Sequence, residues 1–349
     1  MIKSISQILE RSRDKSKRQG IRSKRKNRAM PDSWFASEGC DFPLWATPTT
    51  LIQRDDQDLS ELIAEFPRKD AEDRQSPKLV HMVNLYPPRP DDTVQACTTT
   101  SMLDAQHGQD GRVKLVNVQL QSDPDQTPAG FVRSPDIERT IASVDDNLSG
   151  RPLPLLFDIL ESGAQAADPD DFLIYTNADI CVQPYFYECV FDLVSRGFDA
   201  VIVNRRTIGA DFIADHDTPL LHADLGKRHK GYDCFVFRKE AFDRYARNNA
   251  CIGAASVAMG LLYNMVVHSS KMLILTDVAM TYHFGDDQPW QSGNFADYTS
   301  HNRREYLSTL RTLSADEEAR EKLEQFVTAW RNPRPSRRLV AELKSNRML

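Results

Sequence analysis

Phe172-Leu173-Ile174-Tyr175-Thr176-Asn177-Ala178-Asp179 decides how the rest of the chain is read. Five residues of strand-forming, largely apolar character stop at an amide, and a carboxylate follows two positions later. A buried strand that ends at a surface has this form. In an extended segment the side chains at i and i+2 share a face, so Asn177 and Asp179 are expected to point toward one ligand. Ligands of open α/β sheets sit beyond the carboxyl ends of the strands. An Asn/Asp turn with no ligand is the plainer alternative for the same residues.

Upstream, Lys78–Leu85 reads as a strand ended by Tyr86-Pro87-Pro88. Asp91–Gln106 reads as a helix with Asp91 or Asp92 as N-cap, and Val113–Leu120 as a second strand. Pro154–Ser162 reads as the helix before the strand at 172–176. Downstream come a helix over Pro184–Arg196, a strand at Ala200–Asn204 and a loop through 205–230. A short strand at Cys234–Phe237 is followed by helices near Lys239–Arg247 and Val257–Ser269, and a strand at Met272–Leu275. The tail from 302 is helical until Pro333 and Pro335. Strands that alternate with helices imply an α/β fold, a mainly parallel, Rossmann-like central sheet flanked by helices.

The chain has 349 residues, enough for one large domain or two small ones, with 40% hydrophobic and 27% charged residues. It lacks a long apolar run and a secretory core, so a cytoplasmic location is expected. The six cysteines are scattered without a Cys-x-x-Cys pair, which argues against a zinc ribbon or a disulfide framework. Net charge is −6, yet residues 1–28 hold eleven Lys/Arg against two acids; that local +9 leaves −15 for the rest. The acidic body disfavours nucleic acid. The leader is either a solvated tail or a weak contact to an anionic membrane surface.

Three further groups of residues carry chemistry. Asp179 is suited to bind a hard divalent cation, Mg²⁺ or Mn²⁺, together with substrate phosphates, and Asn177 to bind a ribose or a metal-bound water. In His229-Lys230-Gly231-Tyr232-Asp233-Cys234-Phe235-Val236-Phe237, Gly231 permits close approach of the backbone to a substrate. Asp233 would accept hydrogen bonds from sugar hydroxyls, while Phe235 and Phe237 point together into the core. In Thr281-Tyr282-His283-Phe284-Gly285-Asp286-Asp287, His283 would complete a metal shell, oriented by Asp286 or Asp287. Arg205 and Arg206 suit a diphosphate, and Asn84, at the end of the first strand, a nucleotide. Each has a bland counterpart: a loop histidine, a solvated basic pair, a loop-to-strand transition.

Taken in order, these pieces resemble the nucleotide-diphospho-sugar transferases, glycosyltransferases of the GT-A fold, over roughly residues 78–290. Composition and pattern divide the chain into a basic flexible leader (1–34), a peripheral segment (35–77), a domain (78–300) that the resemblance makes a nucleotide-sugar domain, and a helical extension (301–349). The resemblance puts Thr-Asn-Ala-Asp at the place of the family's metal-binding Asp-x-Asp, with Asn177 for the first acid and Asp179 as metal ligand. It makes His283 the family's late metal-binding histidine and sets Asp233 near the transferred sugar. The implied partners are a nucleotide-diphosphate sugar and a hydroxyl acceptor. Inverting members carry an acidic pair at the start of a later helix, but residues 251–263 contain no acid. Asp233 is then the base, or configuration is retained, or the site is not catalytic. The rivals are a non-catalytic sugar- or nucleotide-binding protein and a nucleotidyltransferase; the latter lacks its Gly-rich loop after the first strand.

Overall fold

The computed structural model describes residues 49–53, 59–64, 66–68, 77–88, 93–209, 222–285 and 295–329. The basic leader, the N-cap expected at Asp91 or Asp92, Asp286, Asp287 and the prolines at 333 and 335 lie outside the described residues.

The chain enters with β1 (Thr50–Ile52) and α1 (Leu59–Ala64), then β2 (Leu79–Asn84), α2 (Val94–Gln106), β3 (Val113–Val118) and β4 (Val132–Arg133). Next are α3 (Leu156–Ala164), β5 (Phe172–Thr176), β6 (Cys181–Val182), α4 (Phe186–Ser195) and β7 (Ala200–Ile208). They are followed by β8 (Lys227–Arg238), α5 (Lys239–Phe242), α6 (Met259–His268), β9 (Met272–Leu275) and β10 (Thr281–Phe284). The chain closes with α7 (Ala296–Leu313) and α8 (Glu317–Ala329). The strands form one sheet in the order β1-β9-β7-β8-β5-β2-β3-β4. Every neighbouring pair on this path is parallel except those made by β8, which runs antiparallel to both β5 and β7. The expected mainly parallel α/β sheet is present.

Strands β2, β5 and β9 are buried along their whole length, as parallel strands covered on both faces must be. Alternation divides their side chains between two apolar layers. Leu173, Tyr175, Phe235 and Phe237 pack with α3, α5 and α6 on one face. Phe172, Ile174, Val201 and Val203 pack with α2 and α4 on the other. Helix α6 is buried on nearly all sides, because α7 and α8 supply Leu310, Leu313, Leu323, Phe326 and Val327 to the same layer. One polar residue lies deep in the other layer. His81 is fully buried between the Tyr187 hydroxyl (2.8 Å) and Thr176 Oγ1 (2.9 Å), and burial lowers its pKa to about 3. No helix among the described residues is long and apolar enough to cross a membrane.

Two expectations are corrected. The segment 205–230 is not all loop: β7 continues to Ile208, and β8 begins at Lys227 rather than near Cys234. These extensions are polar, and their pairing across a β-bulge, not their hydrophobicity, keeps them extended. Thr281–Phe284 is a strand as well. It lies parallel to the far end of β7 and antiparallel to β6, making a small ledge beyond the central sheet.

Candidate active site

The site forms where β5 runs out. Thr176 is the last strand residue, and the Ile180 amide donates to the Asn177 carbonyl at 3.1 Å, so the chain turns at once. The extended geometry expected for Asn177 and Asp179 does not persist, and the two side chains diverge. Asn177 faces β8, and Asp179 faces β10.

Asp179 leads directly into β6, whose antiparallel register sets Cys181 opposite Tyr282 of β10. That pairing brings His283 to Asp179: Nε2 and Oδ2 are 3.2 Å apart. His283 Nδ1 lies 3.0 Å from the Gly285 carbonyl, which can only accept, so Nδ1 carries a proton and Nε2 is the nitrogen that faces Asp179. Among the described residues the group that orients the ring is this carbonyl; the carboxylates expected to do so, at 286 and 287, lie outside them. Burial opposes protonation of His283, but the hydrogen bond and charge of Asp179 outweigh it, and the pKa rises above its ordinary value. The other carboxylate oxygen, Asp179 Oδ1, is buried and has no hydrogen-bond partner. Such an atom is costly unless something fills its coordination.

Asp233 meets Asn177 because β5 and β8 are antiparallel with Thr176 opposite Cys234, so the next residue of one faces the previous residue of the other. Asn177 Nδ2 lies 3.3 Å from Asp233 Oδ1, and the Tyr175 hydroxyl donates to Asn177 Oδ1 at 2.9 Å. The Arg205 guanidinium, only 3% exposed, is 3.4 Å from Asp233 Oδ2. Its Nε also donates to His229 Nδ1 at 3.1 Å. Burial pushes the Asp233 carboxyl up to about 6 against the pull of Arg205; Asp179 adds to the rise and His283 opposes it.

The remaining expected residues separate into two groups. Gly231 serves the cluster. A Cβ there would lie 2.9 Å from the His229 ring, and its amide donates to His229 Nδ1 at 2.8 Å, so the space expected for a substrate is taken by that ring. Arg206 points elsewhere. It pairs with Asp277 at 2.6 Å and donates to the Leu225 and Gly226 carbonyls, tying the start of β8 to the loop after β9. Arg205 and Arg206 thus do not form one anion clamp. Asn84 lies at the carboxyl end of β2, donating Nδ2 to the Val118 carbonyl at 2.8 Å. Its buried Oδ1 has no partner.

Three participants escaped the sequence reading: Tyr175, His229 and the Gly285 carbonyl. A faint signal exists for the first two, since each sits two positions before a residue that was singled out, on the same side of its strand. The acid-free segment 251–258 precedes α6 and is irregular, with Ser256 at φ 67°. It is held by Asn302 of α7, fully buried, which bonds Cys251 N–H and the Cys251 and Ala255 carbonyls.

Among the described residues no group of three or more His, Cys, Asp or Glu side chains could hold a metal ion. Asp179 and His283 are a pair, not a trio, among the described residues.

No protein-family model matches the chain, and no curated protein matches it in sequence. Solved structures do resemble it in backbone course. TarS of S. aureus, in complex with UDP-GlcNAc, is 10% identical with a TM-score of 0.40, over 72% of this chain and 81% of that one. The mannosyltransferase PcManGT of Pyrobaculum calidifontis, in complex with GDP-Man and Mn²⁺, is 12% identical with a TM-score of 0.42, over 83% and 86%. The 4-diphosphocytidyl-2C-methyl-D-erythritol synthase of Anaerococcus prevotii is 10% identical with a TM-score of 0.34, over 66% and 100%.

Proposed function

We propose that the protein is a metal-dependent glycosyltransferase that moves a sugar from a nucleotide-diphosphate sugar to a hydroxyl acceptor. The observation that carries this is the pairing of Asp179 Oδ2 with His283 Nε2 at 3.2 Å beside the unpartnered, buried Asp179 Oδ1. One carboxylate and one imidazole, with the imidazole tautomer fixed from behind, fit a divalent cation such as Mn²⁺ or Mg²⁺ that also binds a diphosphate. The cation, when bound, would neutralise charge on the departing nucleoside diphosphate.

The chain's own residues do the rest. Asn84, with an acceptor oxygen free at the end of β2, receives the nucleoside. The buried Arg205 supplies positive charge to the same space. Asp233 takes the proton from the attacking hydroxyl as the bond from the anomeric carbon to the diphosphate oxygen breaks and the bond to the acceptor oxygen forms. A carboxylate raised to about 6 is ionised at neutral pH and yet more basic than a free one, which suits that task. Arg206 contributes by fixing the ledge on which His283 stands, and not by touching the donor.

The test is thermal unfolding with nucleoside diphosphates and nucleotide sugars, with and without Mn²⁺. A bound pair present at 100 times its Kd raises stability by about 2.7 kcal/mol. Asp179→Ala should remove the metal-dependent part of that shift. Absence of any metal-dependent shift in the wild-type chain would sink the proposal.

A further inference from the structure

The amide at 177 occupies the place where a second metal-binding acid would stand, yet its contacts lead away from His283. Its oxygen accepts from the Tyr175 hydroxyl at 2.9 Å, and its nitrogen lies 3.3 Å from Asp233 Oδ1. The carboxylate, which only accepts, sets the orientation of the amide, and the Tyr175 hydroxyl then donates to the oxygen that remains. A flipped amide would set its oxygen against the carboxylate oxygen, two acceptors facing each other. Tyr175 is fully embedded, and burial holds its hydroxyl well above its ordinary pKa, so it remains a donor at any working pH. The 177–180 turn explains why the two neighbours serve different partners: it rotates Asp179 onto β10 and leaves Asn177 beside β8.

We propose that Asn177 is a positioning residue: set by the Tyr175 hydroxyl, its amide holds the Asp233 carboxylate in place against Arg205, and it is no part of the metal-binding set. The proposal deepens the transferase reading by dividing that site in two. Asp179 and His283 form the cation side. Tyr175, Asn177, Asp233, Arg205 and His229 form the side that faces the reacting hydroxyl. It also gives a reason for an amide at 177. A carboxylate there would stand 3.3 Å from Asp233 Oδ1, in a pocket where Asp179 already raises Asp233, and like charges that close do not both ionise.

The groups that face Asp233 are Arg205 from β7, Asn177 and Asp179 after β5, Tyr175 from β5 and His283 from β10, and His229 of β8 accepts from Arg205 behind it. The experiment is a ¹³C NMR titration of aspartate-labelled full chain, with the Asp233 signal identified by its loss in Asp233→Asn. Thermal unfolding of each variant checks that it is folded. Asn177→Ala removes a donor to the ionised form, so the Asp233 midpoint should rise by about one pH unit, and further in Asn177→Asp. Tyr175→Phe should move it the same way by less. A midpoint unchanged in both Asn177→Ala and Asn177→Asp overturns the proposal. Mn²⁺ alone is then titrated into the same proteins. Asn177→Ala should bind it as the wild type does, whereas a tenfold gain in Asn177→Asp with an unmoved Asp233 midpoint places residue 177 among the ligands and also overturns it. The aspartate titration needs neither donor nor turnover, so a failure of the transferase proposal leaves it readable.

Discussion

At the scale of a single residue, Asp233 contributes a pH-dependent part of the stability. Its folded pKa, about 6, lies above the 3.8 of a free aspartate, chiefly because burial disfavours the charge. The folded state therefore binds this proton more tightly than the unfolded one. The stabilising contribution is complete below about pH 4 and is lost as pH rises through about 6. At about 1.4 kcal/mol per unit, the loss is on the order of 2–3 kcal/mol. Wild type minus Asp233→Asn, followed by urea unfolding across pH 4–8, should show that fall and be level above about pH 7. A flat difference would mean that the carboxyl titrates normally. Gly231 makes a second prediction. Gly231→Ala drives a Cβ toward the His229 ring, so either the ring leaves Arg205 or the strand shifts, for about 1–3 kcal/mol in chemical denaturation.

Elements matter here through their ends. Asn84 and Asn177 lie at the ends of β2 and β5, Asp233 lies within β8 beside the end of β5, and β10 adds His283 through its pairing with β7 and β6. Helix α7 acts from behind. Asn302 makes three hydrogen bonds to the backbone of Cys251 and Ala255, the only described side chain shown to bond those groups. Asn302→Ala leaves a buried amide and two carbonyls unpaired and should cost about 2–4 kcal/mol in urea unfolding. A change below 0.5 kcal/mol would show that the segment finds other partners. The strand β5, the helix after it and the strand at 272–275 were legible because apolar runs of that length have few alternatives. The end of β7, the start of β8 and β10 were not, since short polar segments become strands only when a partner offers its edge.

At the scale of the whole molecule, α7 and α8 belong to the same core as the sheet. Leu310, Leu313, Leu323, Phe326 and Val327 close the outer side of α6. Each buried side chain of this kind contributes about 1.5–3 kcal/mol, so their joint loss is comparable to the roughly 5–15 kcal/mol by which a domain is stable. A chain ending before Ala296 should be insoluble or lack a cooperative thermal transition. A folded, cooperative product would mark the two helices as an appendage.

Fold class and the strand that ends at the site were readable from residue order, because hydrophobic periodicity and length are local properties. Asp179, Asp233 and His283 also stood out in the sequence as side chains of a proposed site. Their partnerships were decided only in three dimensions. Asp179 met His283 through the register of β6 on β10, Asp233 met Asn177 through an antiparallel strand 56 residues away, and Arg205 parted from Arg206 across one strand. Side-chain direction at a strand end depends on where the chain turns, and pairing depends on which edges meet. Neither is written in the local run of residues.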